Sequence, residues 1–294
     1  MKPASFTYHA PDTVDEAVAL LGELGDDAKV LAGGQSLVPI LALRLAAPPH
    51  LVDIGRIAGL TGISRNGVLT IGAGVTQRIA ERSADVTAWS PLLAEALPCI
   101  AHPQIRNRGT VCGSLAHADP AAELPAVMLA LDASMTVRRA TGTRVVPASA
   151  FFVSYLETVV QSDELLLDVQ LPRWVEGAGW SFQEISRRQG DFALAGAATI
   201  VRLAADGTIV DARLCFTGVG ATPVRVLEAE RVLAGQPATP DAFAAAGAIV
   251  SSAVNPPDDV HATSSYRRHI AGVLTRRTLA TAVDRARQQR PTDE

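Results

Sequence analysis

Two glycine-rich turns are the clearest candidates for chemistry in this chain of 294 residues. The first runs from Ala32 to Ser36 and reads AGGQS, and the second runs from Gly109 to Ser114 and reads GTVCGS. Glycine lets the backbone approach a phosphate closely and adopt positive φ, so each turn can direct consecutive backbone N–H groups toward one anion. The pair predicts a site for a pyrophosphate.

Neither turn matches the two best-known phosphate-binding motifs. The Walker A motif requires GxxxxGK[ST], and the Rossmann fingerprint requires GxGxxG with an acidic residue after the next strand. An ordinary P-loop or Rossmann site is therefore disfavoured. A single glycine turn is common in proteins that bind no phosphate, so the hypothesis depends on the presence of two.

The second turn lies inside an unusually polar passage that runs from His102 to Glu123. One interpretation is a solvated loop that ends with Asp119 as the N-cap of a helix, with Pro120 at the first helical position. That interpretation leaves four polar side chains without a role, namely those of Gln104, Arg106, Asn107 and Thr110.

These segments resemble those of the FAD-binding medium subunits of molybdenum hydroxylases, the xanthine dehydrogenase and carbon monoxide dehydrogenase family. The hallmarks of that family are AGGxSLxP near the start and QIRNxGTxGGSLxxADPAAE in the middle, and both are present almost letter for letter. The resemblance covers essentially the whole chain. It continues in Leu43–Leu45 with Pro49–Ile54, in Arg187–Ala193 and in Tyr266–Ile270.

The resemblance implies that the two turns hold the FAD pyrophosphate and that Glu123 binds the adenosine ribose hydroxyls. A carboxylate suits a diol because it only accepts hydrogen bonds. Asp119 would contact nearby cofactor or loop atoms, and His102 and Ile105 would lie close to the flavin ring. No catalytic residue and no metal ligand is expected on this chain. The implied cofactor-binding residues are Ala32, Gly33, Gly34, Gln35, Ser36, Leu37, His102, Ile105, Gly109, Thr110, Cys112, Gly113, Ser114, His117, Asp119 and Glu123.

The sequence departs from the family pattern at a few of these positions. Cys112 replaces the first of two glycines, where a thiol either crowds the pyrophosphate turn or is simply buried. Gln35 stands where many relatives have histidine or threonine, and His117 is similarly variable. The segment Arg187–Asp191 either borders the flavin or a partner surface or forms an ordinary exposed ion pair.

The resemblance also implies an assembly. In this family, substrate is hydroxylated at a molybdenum cofactor on a large subunit, and electrons cross two-iron two-sulfur clusters on a small subunit. FAD on the medium chain accepts them and passes them to an external acceptor. The expected partners are thus a large molybdenum-binding subunit and a small iron–sulfur subunit, in a heterotrimer that can pair into a dimer.

Composition excludes several other roles. Lys and Arg number 26 against 30 Asp and Glu, a net charge of −4 without any basic run, so nucleic-acid binding and polybasic membrane binding are disfavoured. The N-terminus has no apolar signal region, and Arg44 interrupts the apolar stretch Leu37–Ala47, so neither a signal peptide nor membrane insertion is expected.

Cysteine usage points in the same direction. The three cysteines, Cys99, Cys112 and Cys215, are widely spaced and predict neither a disulfide framework nor a structural zinc site. An iron–sulfur cluster needs about four thiolates, so any such cluster must lie on another chain. This usage favours the reducing cytoplasm.

Apolar patterning predicts the elements that position the two turns. Thr13 and Glu16 form a capping box at the start of a helix that ends at Gly25. A strand over Lys29–Ala32 precedes the first turn, and a helical pattern that continues to Leu45 follows it. Further strands are predicted at Leu51–Ile54, Val68–Ile71 and Leu165–Leu171, hairpins at Met135–Val137 with Arg144–Val146 and Ala197–Leu203 with Ile209–Phe216, and helices at Pro91–Leu97, Ala121–Leu131, Val224–Leu233, Asp241–Val254 and Ser265–Arg287.

The expected architecture is an α+β fold. Residues 1–175 would form an FAD-binding region of the PCMH type with two α/β subdomains, at about 1–56 and 57–175. Residues 176–294 would form a C-terminal domain like that of CO dehydrogenase flavoproteins, a small antiparallel sheet with helices. The boundary is placed at Pro172–Gly179, where Pro, Gly and Ala crowd together.

Two alternative functions remain open at this point. A self-contained FAD-dependent oxidoreductase of the same fold predicts substrate turnover by this chain alone. A non-redox scaffold or nucleotide sensor predicts a colourless protein, and the intact glycine turns argue against it. The absence of HExxH and GxSxG weakly disfavours a hydrolase.

Overall fold

The computed structural model describes residues 2–289. Its strands are β1 (Thr7–His9), β2 (Ala28–Leu31), β3 (His50–Asp53), β4 (Ile63–Arg65), β5 (Leu69–Gly72), β6 (Ser134–Arg139), β7 (Gly142–Pro147), β8 (Phe152–Ser154), β9 (Glu157–Thr158), β10 (Leu165–Leu171), β11 (Gly179–Ile185), β12 (Ala195–Leu203), β13 (Ile209–Thr217) and β14 (Val224–Arg225). Its α-helices are α1 (Val14–Leu24), α2 (Leu37–Ala42), α3 (Gln77–Glu81), α4 (Ala84–Trp89), α5 (Pro91–Ala96), α6 (Pro103–Arg106), α7 (Val111–His117), α8 (Glu123–Ala130), α9 (Leu227–Leu233), α10 (Pro240–Ala253) and α11 (Ser264–Gln288).

The chain forms two compact units, and each contains segments that are distant in sequence. The first unit comprises the described residues up to Val86, together with His102–Ala118 and Asp132–Pro172. The second comprises Thr87–Ala101, Asp119–Leu131 and the described residues from Arg173 onward. Both glycine turns therefore belong to the first unit, whereas Asp119–Glu123 belongs to the second.

The first unit contains two sheets of different kinds. β1 and β2 flank β3 in a parallel sheet of three strands, in the order β1-β3-β2. The larger sheet is antiparallel, in the order β4-β5-β10-β6-β7, and α1 packs on β3, β6 and β10. β8 and β9 form a separate small hairpin. The parallel sheet ends where the first glycine turn begins.

The second unit is an antiparallel sheet with helices on both faces. Its strands run in the order β11-β12-β13-β14. α11 packs on β11 and β12 and is covered by α10, whereas α8 packs on β12 and β13. Every residue from Ala195 to Val201 is buried, which is expected of a central strand enclosed on both sides. One face of this sheet therefore holds α8 and the other holds α11.

Several sequence-based expectations are confirmed. The capping box of α1 is formed, with the Thr13 hydroxyl accepting from the N–H of Glu16, and Gly25 ends the helix with a φ of 52°. Both predicted hairpins are present as β6–β7 and β12–β13. The mixed α and β architecture and the C-terminal antiparallel sheet with helices are also as expected.

Among the helices, three boundaries differ from the prediction by two residues or more. α2 ends at Ala42 rather than near Leu45, and α9 begins at Leu227 because the preceding residues form β14. The third concerns α8, which begins at Glu123 rather than at Ala121. Asp119 is thus not its N-cap: the carboxylate of Asp119 accepts from the N–H of Ala121, 2.8 Å away, in a local turn that precedes the helix.

The sequence predicted neither a membrane-spanning helix nor a disulfide framework, and the structure allows both features to be looked for among the described residues. No helix in the part of the chain that the structure describes has the length and apolar content needed to cross a membrane. Cys99, Cys112 and Cys215 all lie within the described residues, and none of them forms a disulfide.

The packing of α11 on β11 yields a testable prediction. A Cβ on Gly179 would lie 1.8 Å from the carbonyl oxygen of Ala282 and 2.5 Å from the nitrogen of Ala286, both in the backbone of α11. Gly179→Ala should therefore force the helix away from the strand and lower the free energy of unfolding by about 1–3 kcal/mol. Chemical denaturation of the purified chain measures the difference.

Gly62→Ala is the matched control, because a Cβ at Gly62 would meet no atom within 4 Å. Equal denaturation midpoints for the two variants would show that α11 does not lie against Gly179 as described.

Candidate functional site

The two glycine turns are in direct contact in the first unit. A Cβ built on Gly33 would lie 2.1 Å from the carbonyl oxygen of Arg108 and 2.7 Å from the Cα of Gly109. One built on Gly113 would lie 3.9 Å from the Cβ of Ala32. Segments that are more than seventy residues apart in sequence thus form one continuous surface of backbone atoms, and only glycine permits the approach at position 33.

The first turn presents unpaired backbone donors. Gly34 has a φ of 73°, and the turn connects β2 to α2. Among the described residues, the backbone N–H groups of Gly34, Gln35 and Ser36 make no hydrogen bond, while the carbonyls of Gly34 and Ser36 accept from within α2. Three successive N–H groups without a protein partner are an arrangement suited to an anion.

The second turn is used differently from what its sequence suggests. Most of its N–H groups already have protein partners: that of Val111 donates to the Val75 carbonyl, and that of Gly113 donates to the Thr110 hydroxyl 2.9 Å away. The N–H groups of Gly109 and Ser114 are also bonded within the chain. Of the two turns predicted to direct N–H groups toward an anion, this one therefore uses most of its N–H groups within the chain, in part to cap α7.

What the second turn can offer a ligand is a hydroxyl. Thr110 is buried, accepts a hydrogen bond from Gly113, and keeps its own hydroxyl proton available for donation. It also pairs with Thr76 in an isolated antiparallel bridge, which fixes its backbone. Thr110 is thus a rigidly held donor beside the first turn.

A buried ion pair supports the polar passage from below. Arg106 is only 5% exposed, and its guanidinium donates to both carboxylate oxygens of Glu81 at 3.0 and 3.3 Å. Arg78 lies 2.9 Å from the same carboxylate. Hydrogen bonding to Arg106 lowers the pKa of Glu81. Arg106, which the local sequence interpretation left without a role, anchors α6 ahead of the second turn.

Gln77 is a site residue that sequence reasoning missed. It is 5% exposed, and its N–H donates to the Gly109 carbonyl at 2.7 Å. The side-chain Oε1 of Gln77 has no hydrogen-bond partner among the described residues, although a Cβ on Gly109 would lie only 3.1 Å from it. A glutamine at the start of a short helix carries no distinctive sequence signal, since its position depends on tertiary contacts.

The remaining predicted residues of the first unit take three kinds of position. The Cys112 thiol points into the core, 3.6 Å from the Ile71 carbonyl, and burial raises its pKa, so the thiol does not crowd the turn. His102 is exposed and Ile105 half-buried, one at each end of the first turn of α6. Three further predicted residues are half-buried, namely Leu37, Ser114 and His117.

In the second unit, β13 holds the segment that leads to Glu123. The Thr217 hydroxyl lies 2.7 Å from the Pro120 carbonyl and 2.6 Å from the Ala122 carbonyl, and the Gly218 N–H donates to Pro120 at 2.7 Å. At the other end of α8, Arg213 donates to the Ala130 carbonyl at 2.9 Å. Both ends of α8 are thus tied to one strand.

This arrangement brings two carboxyl groups close enough to interact, one buried and one half-buried. Glu123 is 5% exposed at the first position of α8, and Glu184 on β11 lies opposite Gly196 on β12. Burial, with the negative charge of Glu123, raises the pKa of Glu184 to about 8. The Oε2 of Glu184 is buried without a hydrogen-bond partner among the described residues. Glu184 was not among the predicted site residues.

The residues of the first unit fit the pyrophosphate of a dinucleotide cofactor such as FAD. The three free N–H groups of the first turn and the Thr110 hydroxyl are donors, which a pyrophosphate requires. The second unit, taken by itself, offers two carboxyl groups suited to hydroxyl ligands, the buried one of Glu123 and the half-buried one of Glu184. The unpartnered Oε1 of Gln77 and Oε2 of Glu184 are orphaned buried atoms of the kind that a ligand satisfies.

The raised pKa of Glu184 predicts a pH-dependent stability. The ordinary pKa of a glutamate is 4.5 and that of Glu184 in the folded chain is about 8, so the folded state binds more protons between these values. Its stabilising contribution is complete below about pH 4.5 and is lost as pH rises through about 8. Relative to Glu184→Gln, the thermal midpoint of the wild type should therefore fall across this interval.

The measurement is thermal unfolding of FAD-free protein over that pH range, with Glu228→Gln as a control that removes an exposed carboxylate from α9. A constant difference between Glu184→Gln and wild type at all pH values would contradict the burial of an ionisable Glu184.

Comparison with known proteins identifies the family. The chain matches the FAD binding domain in molybdopterin dehydrogenase over residues 4–174 and the CO dehydrogenase flavoprotein C-terminal domain over residues 180–282. It is 44% identical over 296 residues to the 6-hydroxypseudooxynicotine dehydrogenase complex subunit alpha of Paenarthrobacter nicotinovorans, covering 100% of this chain and 99% of that protein.

Solved structures agree. A chain of carbon monoxide dehydrogenase from Hydrogenophaga pseudoflava superposes with a TM-score of 0.94 at 40% identity, covering 97% of this chain and 99% of that one. A chain of quinoline 2-oxidoreductase from Pseudomonas putida 86 gives a TM-score of 0.93 at 35% identity, with 97% and 99% coverage. The chain therefore belongs to the family of FAD-binding medium subunits of molybdenum hydroxylases.

Proposed function

We propose that this chain accepts electrons from iron–sulfur clusters of a partner subunit and passes them, through FAD, to an external acceptor. The observation that carries the proposal is the contact between the two glycine turns, one with three free N–H groups among the described residues and the other with the Thr110 hydroxyl. Bound FAD supplies the redox chemistry, since a flavin can exchange one or two electrons. The chain itself contributes binding and positioning.

The proposed partners follow from the proteins that this chain resembles. One relative is described as subunit alpha of a dehydrogenase complex and another, from Hydrogenophaga pseudoflava, as a carbon monoxide dehydrogenase medium chain. We infer that this chain binds two partners, a large subunit with the molybdenum cofactor and a small subunit with two-iron two-sulfur clusters. The three chains would form a heterotrimer, and two heterotrimers would associate as a dimer. Its location in the reducing cytoplasm belongs to the same proposal and rests on the three widely spaced cysteines of the sequence.

Each binding residue has a proposed role that its chemistry supports. Residues 32–37 would hold the pyrophosphate through the free N–H groups, with Thr110 adding its hydroxyl. Gly109 and Gly113 keep the two turns in contact without filling the space. Glu123 would accept hydrogen bonds from the ribose, and Asp119 shapes the turn that leads to it. This chain needs no nucleophile or acid–base pair, since positioning is its task.

Four further residues would contact or border the cofactor. His102 and Ile105 would lie near the flavin ring. Cys112 would contribute through its backbone N–H because its thiol faces the core, and His117 would border the site from the last turn of α7.

We also propose a division into two domains at residues 1–175 and 176–294, with subdomains of the first at about 1–56 and 57–175. The limits of the two family matches support this division.

Substitution of Gly34 tests the pyrophosphate site. Gly34 has a φ of 73°, and a Cβ there would lie 3.1 Å from Val38 Cγ2 and 3.2 Å from Leu31 Cδ1. Gly34→Val should distort the turn, redirect its N–H groups and weaken FAD binding about tenfold or more, equivalent to about 1.4 kcal/mol. Flavin absorbance per chain, followed by FAD titration of the stripped protein, measures the loss.

Gly22→Val is the matched control, because Gly22 lies in α1 of the same unit and a Cβ there would meet no atom within 4 Å. If both variants keep wild-type FAD content, the first turn is not the pyrophosphate site.

The function itself is tested by purifying a tagged copy from its native cell. The spectrum and metal content are measured for the copurified complex and for the chain alone. Flavin on the chain, joined by iron and molybdenum in the complex, is the expected result. Flavin with substrate turnover in the absence of partners would instead establish a self-contained oxidoreductase, and the absence of flavin from both samples would exclude both functions.

A further inference from the structure

Arg267 is a buried arginine with a fixed guanidinium in the second unit. It lies in the first two turns of α11 and is only 6% exposed. Its Nη2 donates to Asp259 at 2.6 Å, and Asp259 in turn accepts from the N–H groups of His261 and Ala262 at 2.8 and 2.9 Å. One arm of the guanidinium is thus clamped to a loop that is itself ordered by the same carboxylate.

The other arm of Arg267 binds two carbonyls at one end of the sheet. Its Nη1 donates to the Leu194 carbonyl at 2.5 Å and to the Gly218 carbonyl at 3.3 Å. Leu194 directly precedes β12, and Gly218 directly follows β13. Gly218 has a φ of 75°, and a Cβ there would lie 2.8 Å from the Leu194 carbonyl oxygen, so only glycine lets the two carbonyls converge on one donor.

The same residue that accepts from Arg267 holds the segment ahead of Glu123. The N–H of Gly218 donates to the Pro120 carbonyl at 2.7 Å. Its neighbour Thr217, 1% exposed, shares its hydroxyl proton between the Pro120 and Ala122 carbonyls. α8 has no side-chain cap at Ala122, so these backbone contacts fix where the helix begins. Hydrogen bonds from the adjacent residues Thr217 and Gly218 therefore connect Arg267 to the residues that precede Glu123.

The energetics of Arg267 favour a positioning role over a purely stabilising one. The Nε of Arg267 is buried without a hydrogen-bond partner among the described residues. A desolvated guanidinium with an unsatisfied N–H is a costly way to hold a fold together, and well-packed apolar residues often serve stability better. What an apolar residue cannot do is bind two carbonyls and a carboxylate at set angles.

We propose that Arg267 is a positioning residue for the cofactor: through Gly218 and Thr217 it sets the register of the Pro120–Ala122 segment and so aims the Glu123 carboxylate. The inference rests on the proposed FAD-binding function and adds a residue of α11 that contacts no part of the predicted site. It also gives a role to Arg267 within the segment Tyr266–Ile270, which the cofactor assignments leave unexplained.

The test is a double-mutant cycle on FAD affinity in the full chain. Arg267→Lys keeps the positive charge opposite Asp259 but replaces a planar fork by a point charge, which cannot serve both the carboxylate and the two carbonyls. Glu123→Gln removes the ribose acceptor charge while keeping the side-chain shape. The FAD dissociation constant is measured for wild type, both single variants and the double variant, by titrating stripped protein with FAD.

Arg268→Lys is the matched control. Arg268 is the next residue of α11 and bonds Asn255 at 2.8 Å and Ser264 at 3.4 Å, without any link to Pro120 or Gly218 among its described contacts. Thr217→Val is a second probe, because it removes the hydroxyl contacts to Pro120 and Ala122 while leaving Arg267 intact. It supplies the cycle with Glu123→Gln if Arg267→Lys does not fold. Thermal unfolding of the FAD-free variants separates a loss of affinity from a loss of stability.

The expected result is that Arg267→Lys and Glu123→Gln each raise the FAD dissociation constant about tenfold, and that the double variant is no weaker than the weaker single variant. Arg268→Lys should leave the constant unchanged. Additive effects of the two substitutions, or an unchanged constant in Arg267→Lys, would overturn the positioning role while leaving FAD binding by the wild type intact. Failure of the wild type to bind FAD would instead refute the proposed function.

Discussion

The contact between Gly33 and the Arg108 carbonyl is the constraint on which the candidate cofactor site depends. A Cβ at Gly33 would lie 2.1 Å from that oxygen, so any side chain would separate the two turns. Both turns come from well-ordered surroundings: β2 delivers the first, and the Thr76–Thr110 bridge fixes the second. The absence of a side chain at Gly33 thus allows the two turns to form one surface. The free N–H groups of the first turn are part of that surface.

The two glycine turns that meet at this contact have different roles. The first leaves its N–H groups free, whereas the second uses its own for capping and for the backbone pairing with Val75. Thr110 links these roles, because its hydroxyl accepts the capping bond and can still donate outward. The ion pair between Arg106 and Glu81 joins α6, which precedes the second turn, to α3.

The sequence predicted the parts of this site that depend on local rules. The capping box at Thr13, the strand before the first turn and the alternating strands of the second unit all have signals within a few residues. The predictions failed for residues whose positions depend on contacts with residues that are distant in sequence. Asp119 has the right residue type for an N-cap, but Thr217 and Gly218 hold Pro120 and Ala122, and α8 starts later than expected. Gln77 and Glu184 gave no signal because burial by distant segments defines their roles.

The two units differ in the hydrogen-bonding groups that they offer. The first unit presents donors, in the free N–H groups of the AGGQS turn and the hydroxyl of Thr110. The second presents Glu123 and Glu184. A pyrophosphate carries negative charge and needs donors, so a carboxylate beside it would repel it, whereas ribose hydroxyls are donors that a carboxylate can accept from. Both carboxylates belong to the second unit, whereas the AGGQS turn belongs to the first. Burial, together with the negative charge of Glu123, raises the pKa of Glu184 to about 8.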